Sequence, residues 1–145
     1  MKAGESDEAV RSRLLEHRVK YTRGRSAVVR LLQTAKGPLS AAEIHRRLRS
    51  VPLSSLYRSL AVMEGVGVVS AHHGQGKAVR YELAEWLAGH HHHVVCLGCG
   101  SVDDFELDPR AEGRLHDLVE LVGRQAGYDV TGHSLEVEGL CRNCR

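Results

Sequence analysis

Four cysteines fall in two pairs, Cys96-x-x-Cys99 and Cys141-x-x-Cys144, and the run His90-His91-His92-His93 stands just before the first pair. Thiolate and imidazole at this density are metal ligands. Two Cys-x-x-Cys knuckles supply four thiolates, the set that suits tetrahedral zinc at about 2.3 Å per bond. A site with four protein ligands is closed, hence structural rather than catalytic. A pair of redox dithiols is the competing chemistry, but neither pair opens a helix after a strand in a thioredoxin-like pattern.

The histidine run does different work. Side chains alternate across an extended chain, so His90 and His92 face one way and His91 and His93 the other. One run can therefore feed two sites. His133, on a strand expected over 131–140, suits one pair. Glu82, ending an expected hairpin, and Asp104, five residues past Cys99, suit the other. The bland alternatives are solvated carboxylates and a polar strand edge. An expression tag is a third, but tags sit at termini and this run is internal.

Those residues need elements to hold them. Apolar spacing predicts helices over 7–18 (Val10, Leu14) and 24–35 (Val28, Leu31, Leu32, Ala35). Ser40-Ala-Ala-Glu43 is a capping box, starting a third helix near Ala41 with Ile44 and Leu48 inward. Ser54 is the expected cap of a fourth helix, with Leu56, Leu60 and Met63 inward, ending near Gly65. Val66–Leu83 reads as a hairpin about Gly74-Gln75-Gly76. Four helices and a hairpin make a winged helix-turn-helix. Residues 84–89 read as a linker. Beyond it come strands over 90–96 and 101–107, and a helix over 110–126 with Leu115, Leu118, Val119 and Val122 on one face and Gly127 as its cap. The fold class is α+β: a winged helix over 1–84, a hinge over 85–89 and a small metal-binding domain over 90–145.

The 145 residues are 42% hydrophobic and 26% charged, an ordinary soluble composition. No stretch approaches the ~20 apolar residues of a membrane span, and the charged N-terminus has no signal-like apolar region. A cytoplasmic location is expected, and there paired cysteines favour metal. The net charge of +2 hides an asymmetry: residues 1–60 carry 13 Lys and Arg against 5 Asp and Glu, and residues 61–145 carry 7 against 13. The basic half is expected to meet a polyanion. No nucleophile motif, phosphate loop or His-Glu-x-x-His pattern accompanies the ligands, so catalysis, including a metallohydrolase, is not expected.

The chain resembles the ferric uptake regulator family of bacterial metal-responsive repressors over roughly residues 10–145. The resemblance rests on Lys20-Tyr-Thr-x-x-Arg25, Ser55-Leu-Tyr57-Arg58, Tyr81-Glu82-Leu83, His90–His93, Cys96-x-x-Cys99-Gly100, His133-Ser134 and Cys141-x-x-Cys144, in that order. It implies a homodimer binding palindromic operator DNA, with an α/β dimerisation domain at the C-terminal end. Ser55, Tyr57 and Arg58 match the recognition helix, Lys20 a minor-groove position and Arg25 a phosphate-contact region. Cys96, Cys99, Cys141 and Cys144 match a structural zinc site. Glu82, His91, His93 and Asp104 match a hinge-side regulatory site, and His90, His92 and His133 a second site.

Three departures stand out. Pro38 occupies a position where the family often has a histidine, which weakens a peroxide-sensing role. The second site's carboxylate is ambiguous: spacing from Cys99 favours Glu112, spacing back from Gly127 favours His116, and Glu112 is slightly preferred. No cysteine lies near Glu82, as zinc sensors often have. Imidazole and carboxylate suit iron(II), manganese or zinc, and His72 and His73 on the hairpin could add ligands, as in a nickel sensor. Iron or zinc is the expected regulatory metal. The alternative function is a cytosolic zinc store or metallochaperone without specific DNA binding.

Overall fold

The computed structural model describes residues 3–72 and 78–145, with side chains from Ser6 onward. The expected turn at 74–76 and His73 lie outside the described residues. The chain divides into two compact units, 1–89 and 90–145.

In the first unit the order is α1 (Ala3–Glu16), α2 (Arg23–Gln33), β1 (Leu39–Ser40), α3 (Ala41–Arg47), α4 (Leu53–Gly65), β2 (Val69–His72), β3 (Arg80–Leu83) and α5 (Glu85–Ala88). The three strands form an antiparallel sheet in the order β1-β3-β2. Helix α2 starts at Thr22, whose hydroxyl accepts the Arg25 amide. Helix α3 starts with both halves of the capping box in place: Ser40 Oγ accepts the Glu43 amide at 3.2 Å, and the Ser40 amide donates to Glu43 Oε2 at 2.8 Å. Helix α4 differs from expectation. Its N-cap is Pro52, with no side-chain cap, and Ser54 lies inside the first turn. Proline's fixed φ presents its carbonyl to the Leu56 amide, so the helix begins without a hydroxyl.

The helical stripes meet in one core. Val10, Leu14, Val28, Ile44, Leu56, Leu60 and Met63 are fully buried. Each Leu or Ile so buried contributes about 1.5–3 kcal/mol. Strand β1 was not expected; two residues are too short to show a period. The segment expected as a hinge carries α5, whose Leu87 belongs to the first unit's core, and the division of the chain follows Gly89.

The second unit contains β4 (His92–Cys96), β5 (Val102–Phe105), α6 (Pro109–Ala126) and β6 (Glu136–Gly139). Its sheet order is β5-β4-β6, with β4–β5 antiparallel and β4–β6 parallel. Strand β6 is shorter than expected, starting at Glu136, so His133 precedes it. Helix α6 is capped by Asp108, which accepts the Arg110 and Ala111 amides, and ends at Gly127 with φ 73. Its apolar face does not close on the unit itself: Leu115 and Val119 are half-buried, whereas Leu118 and Val122 are exposed. Val94 and Val137, paired across β4 and β6, are also exposed.

Candidate metal centres

The four cysteines of the second unit converge. Their Sγ atoms all lie within 4.8 Å of one another, and Cys99 and Cys141 are 3.9 Å apart. A tetrahedron with zinc–sulfur bonds of 2.3 Å has edges of about 3.8 Å, so the cluster fits that ion. Strand β4 delivers Cys96, and β6, parallel to it, brings the second knuckle alongside. Backbone amides of Cys141 and Cys99 point at Cys96 Sγ, and these hydrogen bonds hold its thiol down to about 5. The Ser101 hydroxyl and amide lower Cys99. Cys144 is pushed up to about 12 by Cys141, Cys96 and Cys99 beside it. The set thus favours thiolates at Cys96 and Cys99 and resists one at Cys144, and a dication would offset the crowded negative charge. A Cβ at Gly98 would meet Cys144 Cβ at 2.8 Å and Sγ at 3.0 Å, so only glycine lets the knuckles close.

A second set gathers around Glu112, in the first turn of α6. His90 Nε2 lies 3.2 Å and His133 Nε2 3.3 Å from Oε1, and His92 Nε2 lies 2.9 Å from Oε2. His92 is 1% exposed. Its ring stands edge-on to His90 at 4.8 Å. The hydrogen bond from His92 holds the Glu112 carboxyl below its ordinary range against the opposing effect of desolvation, and His90 and His133 add to it. His133 Nε2 is buried and has no partner in hydrogen-bond geometry. A buried nitrogen aimed at a carboxylate and two imidazoles, yet unbonded, fits a cation better than a proton network. His116, the other candidate, is exposed and stands outside the set.

On the other side of the run, the His91 and His93 rings are 5.1 Å apart and perpendicular. His93 pairs in register with Asp104 of β5, and its Nε2 is 3.7 Å from Asp104 Oδ1. In the first unit, Glu82 on β3 accepts from His72 Nε2 of β2 at 2.7 Å. The wing strand thus holds the orientation of that carboxylate, a link that spacing alone did not reveal.

The candidate DNA residues lie on the first unit. Tyr57 (52% exposed), Arg58 and Lys20 are open to solvent, and Ser55 is half-buried. Arg25, expected near phosphate, turns a guanidinium nitrogen onto the Lys20 carbonyl, and its Nε is buried. Arg80 was not singled out by sequence. Its guanidinium bridges the Pro38 carbonyl at 3.0 Å and Glu43 Oε2 at 2.9 Å, tying the sheet to α3.

Residues 16–138 match the model of the ferric uptake regulator family. The chain belongs to the ferric uptake regulator family. It is 30% identical over 143 residues to the ferric uptake regulation protein of Bacillus subtilis, covering 94% of this chain and 93% of that one. It is 32% identical over 140 residues to that of Neisseria meningitidis, covering 92% of each. Among solved structures it is similar to the Helicobacter pylori ferric uptake regulator, which has three functional metal-binding sites: TM-score 0.79, 26% identity, 99% of this chain and 94% of that one. Family members are metal-responsive transcriptional regulators, not enzymes. Membership fixes the fold as a winged-helix DNA-binding domain followed by a dimerisation domain. Divalent metals are the family's cofactors, and the donor sets of this chain suit them.

Proposed function

We propose that this family member is a metal-dependent repressor that binds palindromic operator DNA as a homodimer in the cytoplasm and controls iron or zinc homeostasis. The observation that carries the proposal is the division of one histidine run. Alternate residues face different carboxylates, while the same strand ends in the tetra-cysteine cluster. In this scheme Cys96, Cys99, Cys141 and Cys144 hold structural zinc. His90, His92, Glu112 and His133 hold a second ion. Glu82, His91, His93 and Asp104 are the regulatory ligands. A divalent cation there supplies the charge and directional bonds that favour one domain arrangement over another.

Dimerisation is supported by the apolar surface that the second unit leaves open, Leu118, Leu121 and Val122 on α6 with Val94 and Val137 on the sheet. DNA binding is supported by the basic first unit and its exposed Tyr57 and Arg58. A dimer would set two α4 helices in successive major grooves. Gel-shift titrations with and without iron(II), zinc, manganese or nickel test the proposal, the structural zinc being retained throughout. Metal-loaded protein is expected to bind its operator at least tenfold more tightly, about 1.4 kcal/mol or more. Equal affinity in both states would remove the switch. Tight zinc retention with no DNA binding in any state would point to zinc storage.

A further inference from the structure

Helix α1 ends in a Schellman turn. The Val19 amide reaches back to the Leu14 carbonyl at 2.8 Å, and the Arg18 amide to Leu15 at 2.9 Å. Val19 packs against the core cluster to which Leu14 belongs. The residue at the bend of such a turn takes a left-handed conformation, and glycine is the usual occupant. Here it is Arg18, with φ 57, the one non-glycine residue of positive φ among the described residues. A side chain with a Cβ is disfavoured there, so the turn itself does not explain an arginine.

Neither does the surrounding protein. The neighbouring arginines are engaged: Arg11 with Asp7 and Glu8 and over the Tyr21 ring, Arg13 with the Val66 carbonyl, Arg25 with the Lys20 carbonyl. Arg18 is exposed, and its guanidinium has no ion pair or side-chain hydrogen bond among the described residues. A cation near a helix C-terminus gains something from the helix dipole, but little where it is exposed. The segment that carries it is anchored. Tyr21 donates to Asp7 at 2.7 Å, and Arg25 grips the backbone at Lys20. Two extended residues span at most ~7 Å, so Arg18 and Lys20 are near neighbours on a fixed segment. The DNA minor groove is about 6 Å wide between its phosphate walls. If Lys20 enters that groove, as the resemblance implies, Arg18 two residues before it would stand at the groove's rim.

We infer that Arg18 is a DNA phosphate contact, kept in a backbone conformation that glycine would occupy at lower cost. The inference rests on the DNA-binding proposal above and adds to it a residue that no motif marks. It is tested with full-length, metal-loaded protein and a mixed-sequence DNA duplex, because a phosphate contact is blind to sequence. Asparagine tolerates the left-handed region and glycine prefers it; lysine keeps the charge without relieving the backbone. R18N and R18G are expected to melt a few degrees above wild type and to bind the duplex about three- to tenfold more weakly, with the slope of log affinity against log salt shallower by about 1. R18K is expected to keep the wild-type slope. An R18N protein with wild-type affinity and slope, or one that melts lower, overturns the inference. A wild-type protein that binds no duplex overturns the DNA-binding proposal instead.

Discussion

One added carbon at Gly98 meets Cys144 at 2.8 Å. Gly98→Ala is therefore expected to open the cysteine cluster and weaken zinc retention at least tenfold, read by competition with a chromogenic chelator, a loss of about 1.4 kcal/mol or more. Glu43 carries a different prediction. Burial opposes its ionised form, but the Ser40 amide and hydroxyl and the Arg80 guanidinium outweigh it, and its carboxyl sits below the ordinary range. A carboxyl depressed on folding stabilises the native state above its unfolded value and ceases to do so as pH falls through its folded value. Glu43→Gln retains a capping acceptor but cannot titrate. It is expected to be about 1 kcal/mol less stable in urea near neutral pH and to converge with wild type below the carboxylate range. At this scale the sequence marked most of the donor atoms, because alternation along a strand is a property of the backbone. It left Glu112 and His116 unresolved because residues four apart share a helix face. Asp108 caps α6 and sets Glu112 in its first turn, and that carboxylate lies close to the histidines.

Among the elements, helices with strong apolar period were legible and short or partner-dependent ones were not. Leu56, Leu60 and Met63 give α4 a stripe that only a helix can bury on one side, and all three are fully buried. Leu60→Ala is expected to cost about 2–5 kcal/mol, measured as a lower urea midpoint for the first unit. Strand β1, two residues long, has no period to detect. The parallel pairing of β6 with β4 was hidden too, since it joins segments some forty residues apart, His93 opposite Glu136, and no local pattern encodes it. Helix α6, expected over 110–126, runs from Pro109 to Ala126, and periodicity put its apolar residues on one face without saying what covers them. Leu118 and Val122 lie open, and what an apolar stripe packs against is not written in its own period.

For the whole molecule, that open stripe predicts association. Leu118→Glu would place a charge in the proposed interface and is expected to shift the protein from dimer to monomer in sedimentation while the first unit keeps its melting transition. The metal sets should also separate by phenotype. His91→Ala or His93→Ala is expected to abolish metal-dependent DNA binding in a folded dimer, and Cys96→Ser to unfold or monomerise the second unit, as circular dichroism and sedimentation would report. Like behaviour in the two classes would remove the division into sensing and structural sites. The parallel β4–β6 pair has one more consequence. Cys99 and Cys141 are 42 residues apart, and drawing such a loop shut in a disordered chain costs about 4 kcal/mol of entropy. A strand pairing that must wait for so long a closure forms slowly. A zinc ion gripping both knuckles early would shorten the search, so the second unit's refolding rate should rise with free zinc until the cluster fills, while the first unit's rate stays level. Metal supply would then govern how quickly the protein matures as well as what it binds.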